Sequence, residues 1–229
     1  MRQLARTGGG NVTVPHKEMA AACLDAPSQS VSLTGACNCF WRLPTGELAG
    51  ENTDVPAFAD AVESRLGVRL RGARLLLLGA GGGARAVLLA CRRAGVQSID
   101  ILNRSRERAM VAASSVVGDS VPVAVLEGIP ESGHYDLAVN ATSIGLQHTD
   151  PLPIDLGALD VSAAFDLVYG RRGTPWTAHA RALGVTAADG LEMLVRQAGY
   201  SIRQWLDVDP PLDVMRRAAE DALSERDGD

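Results

Sequence analysis

Aromatic side chains are scarce in this sequence, with three each of Phe, Trp and Tyr among 229 residues. Long apolar runs are missing too. None approaches the roughly 18 residues that a membrane-spanning helix needs, which excludes a membrane partner of that kind. An excess of positive charge is also lacking: 27 acidic against 22 basic residues give a net charge of −5. That balance argues against a nucleic acid or an anionic membrane surface as partner, and ordinary solubility accounts for it. Cysteine is sparse, at positions 23, 37, 39 and 91. The Cys37-Asn38-Cys39 spacing is too tight for a zinc knuckle, and no Cys/His pair elsewhere completes a metal site. The expectation is therefore no metal, and reduced thiols in a cytoplasmic protein. The opening Met1–Arg6 is basic but no apolar core follows it, so it does not read as a secretory signal.

Ala, Val, Leu and Gly dominate what is present, and 46% of the chain is hydrophobic. Parallel α/β sheets, whose strands are buried on both faces, have this composition. Thr7–Gly10 reads as flexible, Asn11–Val14 as a short strand stopped by Pro15, and Lys17–Leu24 as helical. Ser32–Trp41 alternates toward a strand, and Pro44–Glu47 is a hairpin-type turn leading into Leu48–Gly50. Val55, Phe58, Val62 and Leu66 recur at helical spacing. From Leu70 onward a regular alternation sets in. Strands are expected at 74–78, 98–102, 121–125, 135–139 and 164–168, and helices at 84–94, 106–117 and 177–183. Such alternation predicts a Rossmann-like, doubly wound parallel sheet with right-handed crossovers. After Gly190 the chain reads as helical in two pieces split by Asp209-Pro210-Pro211, with a frayed tail over Ser224–Asp229.

The run Gly79-Ala80-Gly81-Gly82-Gly83-Ala84 follows the first strand of that alternation and opens a helix. This is the G-x-G-x-x-A form of the dinucleotide fingerprint. Gly79 permits the tight turn, Gly81 lets the backbone approach a pyrophosphate, and Ala84 allows close helix–sheet packing. The helix N-terminus supplies free N–H groups and the positive end of its dipole. At the end of the next strand an NAD enzyme keeps a carboxylate for the ribose 2′-hydroxyl. Here Asn103-Arg104-Ser105 stands in its place, with Arg108 one turn on. A guanidinium there attracts a 2′-phosphate through charge-assisted hydrogen bonds. These arginines also read as solvated helix-start residues, but cations at a helix N-terminus oppose its dipole and call for a compensating anion. NADP is expected over NAD.

Two runs near the N-terminus carry chemistry. Asn11-Val12-Thr13-Val14-Pro15-His16-Lys17 places a lysine just past a strand, and Asn52-Thr53-Asp54 places a carboxylate at the turn before a helix. Separately, Lys17 reads as a solvated surface residue and Asp54 as an N-cap. Together they could exchange a proton with a hydroxyl carbon that gives up its hydride.

These runs, with Gly35-Ala36-Cys37-Asn38, Asn140-Ala141-Thr142-Ser143-Ile144-Gly145 and Gly190–Gln197, stand in the order found in shikimate and quinate/shikimate dehydrogenases. The sequence resembles that family from Asn11 to about Leu206. The resemblance implies an NADP-linked oxidoreductase acting on a cyclic hydroxy acid, interconverting shikimate and its 3-dehydro form. It makes Lys17 the acid/base residue and Asp54 its partner. Thr13, Asn38 and Gln197 would bind the ring hydroxyls or carboxylate, with Tyr169 close by. Gly79, Ala80, Gly81, Gly82 and Gly83 would cradle the pyrophosphate, and Asn103, Arg104, Ser105 and Arg108 the 2′-phosphate. Thr142, Ser143, Leu167 and Gly190 would line the path from adenosine to nicotinamide. The implied domains are a smaller, incomplete α/β substrate domain over 1–54, joined by helices at about 207–229, and a nucleotide domain over 55–206. A homodimer is compatible with the resemblance.

Departures from the family pattern are few. Family members open with a Ser-x-Ser strand that grips the substrate carboxylate, and residues 1–10 do not match it. The expectation is a chain that starts partway through the substrate domain, as a truncated reading frame or as a variant completed by a partner. Cys39, Ser105 and Gly170-Arg171-Arg172 also replace the usual residues. Quinate or aminoshikimate oxidation, a catalytically silent NADP-binding module, and a methylenetetrahydrofolate dehydrogenase-like enzyme are the rival readings. The Asn-Thr-Asp and Gly190–Gln197 motifs speak against the last.

Overall fold

The computed structural model describes residues 8–130, 133–147 and 149–226. The opening Met1–Arg6, Thr7 and the last three residues of the expected frayed tail lie outside them. In chain order the elements begin with β1 (Gly9–Asn11), α1 (Lys17–Ala22), β2 (Ala26–Pro27), α2 (Gln29–Thr34), β3 (Cys39–Arg42), β4 (Leu48–Glu51) and α3 (Asp54–Leu66). Then come β5 (Arg74–Leu78), α4 (Gly82–Ala94), β6 (Ser98–Leu102), α5 (Arg106–Ala112), β7 (Val123–Leu126), β8 (His134–Tyr135) and β9 (Leu137–Asn140). The chain finishes with β10 (Asp160–Val161), β11 (Ala163–Asp166), α6 (Pro175–Ala182), β12 (Thr186–Ala188), α7 (Leu191–Leu206) and α8 (Leu212–Arg226).

The larger sheet has the order β12-β11-β9-β5-β6-β7, parallel throughout. Counted along the chain this is the 3-2-1-4-5-6 order of a doubly wound dinucleotide fold, and its topological switch point lies between β5 and β9. Leu75, Leu76, Leu77 and Leu78 are all essentially buried, so alternate leucines of β5 face opposite layers. Leu75 and Leu77 join one core with Val87, Leu88 and Phe165, whereas Leu76 and Leu78 join another around Trp176 and Ile154. Each such side chain contributes about 1.5–3 kcal/mol by burial. Phe58 of α3 meets Phe165 of β11 edge to face at 5.6 Å.

The smaller sheet has the order β1-β3-β4-β2. Several expectations change here. Gly9 and Gly10 are not a flexible lead but strand, paired antiparallel to Trp41 and Phe40. Bare backbone is needed at this edge: a Cβ on Gly10 would lie 2.8 Å from the Phe40 ring, and one on Gly9 would strike Trp205. Strand pairing stops at Asn11 rather than Val14. The expected strand over Ser32–Trp41 begins only at Cys39. Residues 29–34 instead form α2, because Ser28 Oγ accepts from Val31 N at 3.2 Å and Gly35 closes the helix at φ 62°. In the larger sheet the helix from Arg106 passes into a π-type turn over Ala113–Val117. Among the described residues no helix is long and apolar enough to cross a membrane.

Candidate active site

Lys17 and Asp54 meet. Lys17 Nζ lies 2.5 Å from Asp54 Oδ2, and the two side chains are 16% and 5% exposed. Each is placed by backbone. Cys37 N donates to Lys17 O at 2.9 Å, which ties the first turn of α1 to the segment entering β3. Asp54 is the first residue of α3, with Thr53 rather than Asp54 as its N-cap.

Asn38 organises the floor beside the pair. It is buried, and its Nδ2 stands 2.9 Å from Thr53 Oγ1, 3.0 Å from Asp54 Oδ1 and 3.1 Å from Gln197 Oε1. Its Oδ1 accepts from Thr53 N at 2.8 Å. An amide can make four such bonds, so this one reads the α3 N-terminus and α7 together. Asn11 extends the network by donating to Asn38 O at 3.0 Å and Ser201 Oγ at 2.8 Å. Asn11 stands in the sequence only as the start of the run that leads to Lys17, and Ser201 has no mark there, because a lone polar residue carries no signal until its distant partner is known. Thr13 lies exposed on the loop just before Lys17, and Tyr169 is exposed after β11.

The glycine turn lies against this pair. A Cβ added at Gly82 would come 3.7 Å from Lys17 Cβ and 3.8 Å from Lys17 Cδ. Gly79 has φ 108°, and a Cβ there would sit 2.9 Å from Ala141 O, across the switch point. Nothing surrounds Gly81 within 4 Å of such a Cβ. The N-cap of α4 is Gly81, with no side-chain cap, so the first-turn N–H groups are left for an anion. Arg85, one turn in, donates to Thr34 O at 3.2 Å and ties α4 to the C-terminal end of α2.

At the far end of the crevice Ser105 caps α5 by accepting from Arg108 N at 3.3 Å, and Asn103 Nδ2 donates to Ser105 O at 2.7 Å. Arg106 is occupied by Val125 O at 3.0 Å and Glu127 at 3.3 Å. The exposed side chains of Arg104 and Arg108 have no such partner among the described residues. The open turn, the uncapped helix and two uncommitted guanidinium groups fit a dinucleotide with a 2′-phosphate. Among the described residues no group of three or more His, Cys, Asp or Glu could hold a metal.

The remaining positions sit around the switch point. Thr142 donates through its hydroxyl to Asn140 Oδ1 at 2.7 Å, and Ser143 is exposed. Leu167 packs on Gly83. Gly190 opens α7 directly against the Leu167 carbonyl, with no room for a side chain. Sequence reasoning passed over Asp166, which is buried at the end of β11 and accepts from Asn140 Nδ2 at 2.8 Å.

The profile of a shikimate dehydrogenase substrate-binding domain matches residues 1–40, and that of the shikimate 5′-dehydrogenase C-terminal domain matches 190–220. The NADP(+) shikimate dehydrogenase of Methylobacterium radiotolerans is 37% identical over 213 residues, spanning 88% of this chain and 73% of the relative. Among solved structures, shikimate 5-dehydrogenase of Thermus thermophilus, in complex with NADP(H) and shikimate, is 35% identical with a TM-score of 0.79. That match covers 94% of this chain and 79% of the other. Quinate dehydrogenase from Corynebacterium glutamicum, in complex with NAD, is 29% identical with a TM-score of 0.80, covering 95% and 81%.

Proposed function

The chain belongs to the shikimate dehydrogenase family, and from that premise we propose that it interconverts shikimate and 3-dehydroshikimate with NADP as cofactor. The observation that carries the reading is the Lys17–Asp54 pair, 2.5 Å apart and set against the glycine turn at Gly82. The cofactor, when bound, supplies the hydride acceptor for oxidation and the hydride donor for reduction.

The protein handles the proton. Lys17 takes it from the ring hydroxyl as that carbon becomes a carbonyl, and returns it in the reverse direction. Asp54 holds the lysine Nζ in place and faces the same hydroxyl. Asn38 and Gln197, joined to each other at 3.1 Å, stand beside the pair and would trade amide bonds for the remaining hydroxyls. Thr13 and Tyr169 complete the walls. Gly79, Ala80, Gly81, Gly82 and Gly83 hold the pyrophosphate at the start of α4. Asn103, Arg104, Ser105 and Arg108 hold the 2′-phosphate, and Thr142, Ser143, Leu167 and Gly190 line the path between. Residues 1–54 and 207–229 handle the acid and 55–206 the dinucleotide, with α7 reaching across. A cytoplasmic setting, supported by four free thiols, and a homodimer complete the reading.

The test is an NADP-linked assay on shikimate with Lys17→Ala. Turnover is expected to fall at least about 100-fold, the usual scale for losing a general acid/base, while NADP still binds. Near-normal turnover would sink the assignment. Likeness to a quinate dehydrogenase makes quinate the second acid to assay.

A further inference from the structure

Asp166 ends β11 with no exposed surface, and no cation pairs with it among the described residues. Its carboxylate is met by three donors. Oδ1 accepts from Asn140 Nδ2 at 2.8 Å and Val168 N at 3.0 Å, and Oδ2 accepts from Thr174 Oγ1 at 2.6 Å. Asn140 ends β9, whereas Val168 and Thr174 stand near the two ends of the single connection from β11 to α6. Asn140 passes the constraint on. Its Oδ1 accepts from Thr142 N at 3.1 Å and Thr142 Oγ1 at 2.7 Å, and its Nδ2 reaches Ile144 O at 3.1 Å. Val168 N fixes the turn that presents Leu167 to Gly83 and the Leu167 carbonyl to Gly190. Thr174 is the N-cap of α6.

Burying a carboxylate without a countercharge is costly, and a loop that needs only acceptors could use a neutral amide. The charge makes the bonds to Asn140 and Val168 about twice as strong as neutral ones. We propose that Asp166 is a positioning residue for the reaction, holding through Asn140 and Val168 the two loop walls, at Thr142 and Leu167, of the dinucleotide crevice. This rests on the NADP reading above.

The charge is conditional. Burial pushes the Asp166 carboxyl up to about 6 against the three hydrogen bonds that favour ionisation, and Asp189 adds repulsion. Asp189, from the turn between β12 and α7, is the charged group facing it. β9 brings Asn140, and the start of α6 brings Thr174 and Thr177, all uncharged. When Asp166 takes a proton, only the Thr174 hydroxyl can turn round to accept from it. Asn140 Nδ2 and Val168 N can only donate, so their bonds lose the charge. Dinucleotide affinity should therefore weaken as pH falls through about 6 in the parent, and Asp166→Asn should remove that dependence.

The experiment is NADP+ binding by calorimetry from pH 5.5 to 8 with the parent, Asp166→Asn and Asp166→Ala, each checked for folding by circular dichroism. The 2′-phosphate titrates in the same range, so the difference between parent and variant is the readout. Asp166→Ala is expected to weaken binding at least about tenfold at pH 7.5, leaving two buried donors unmet. Asp166→Asn is expected to weaken it about threefold at pH 7.5 and to come close to the parent at pH 5.5, where most of the parent carboxyl is protonated. Should Asp166→Ala fail to fold, the Asp166→Asn comparison decides alone. Parent and Asp166→Asn binding equally at every pH would overturn the proposal and leave the NADP reading standing. A parent that binds no NADP+ would overturn both.

Discussion

Replacing Gly190 by alanine should damage this protein more than any flexibility argument would suggest. Gly190 has φ −76° and ψ 0°, which any residue can adopt, so the substitution carries no dihedral penalty. Its cost is steric. The added Cβ would overlap the Leu167 carbonyl oxygen, approach Leu167 C to 2.8 Å and lie 3.3 Å from Asp166 O. All three are backbone atoms, so no side chain can rotate away. The two segments must part by roughly an ångström to regain ordinary contact. Two bonds resist: Gly190 N donates to Val168 O at 3.1 Å, and Leu167 N donates to Asn140 O at 2.8 Å. Overpacking costs about 1–3 kcal/mol, and each weakened hydrogen bond adds about 1 kcal/mol. A loss of roughly 3–5 kcal/mol is expected, a large share of a stability of about 5–15 kcal/mol. Urea unfolding at pH 7.5 measures it, with Gly128→Ala as control, since a Cβ there meets nothing. Because α7 starts at this contact and carries Gln197, KM for the acid should rise as well. A Gly190→Ala protein within about 1 kcal/mol of the parent would refute the steric reasoning.

Other outcomes follow from the same geometry. The parent should prefer NADP+ to NAD+, and Arg104→Ala should narrow that preference by about tenfold, the scale of one charge-assisted contact. Arg106→Ala, whose guanidinium is committed to Val125 and Glu127, should leave the preference unchanged. Measured KM ratios for the two nucleotides check both. Asn38→Ala should cut kcat/KM at least tenfold by releasing Asp54 and Gln197, and steady-state assays with shikimate test it. For stability against pH, the Asp166 carboxyl is raised from 3.8 to about 6, so the folded state holds its proton longer than the unfolded chain. Asp166 therefore lowers stability as pH rises from about 4 to 6 and adds nothing further above that, up to about 3 kcal/mol in all. Asp166→Asn lacks this contribution. Its stability relative to the parent should rise over that interval in urea unfolding, and a flat difference would contradict the assignment.

Much of the larger sheet was legible because its strands are buried on both faces. Leu75–Leu78 reads as an unbroken apolar run, and glycine then helix follow immediately. The smaller sheet was less legible. Residues 29–34 contain Ser, Val and Thr, weak helix formers, and what makes them helical is the Ser28 cap and the left-handed Gly35. β12, Thr186–Ala188, is too short to show a period. Gly9 and Gly10 looked like slack, whereas Phe40 and Trp205 need that space. In the site, Lys17 and Asp54 were open to bland readings one at a time, and the family motif supplied their pairing. Asp166 stood inside the strand expected at 164–168, but nothing in the order of residues marks a carboxylate met by donors from the end of β9 and from the β11–α6 connection.

The network around Asn38 also has a consequence in time. The dinucleotide crevice is built from strands and turns between residues 74 and 190, and its glycine turn and arginines lie within thirty or so residues of each other. The network around Asn38 is not local in that way. Asn11 reaches Ser201 across 190 residues, and Asn38 reaches Gln197 across 159. Such contacts close very long loops, and they reward the folding chain late. On a ribosome adding about 5–20 residues per second, the nucleotide sheet is complete in sequence while α7 is still being made. The Lys17–Asp54 pair is therefore made early, and only the arrival of α7 brings Gln197 to Asn38; a stalled or clipped C-terminus keeps the pair and loses that tie.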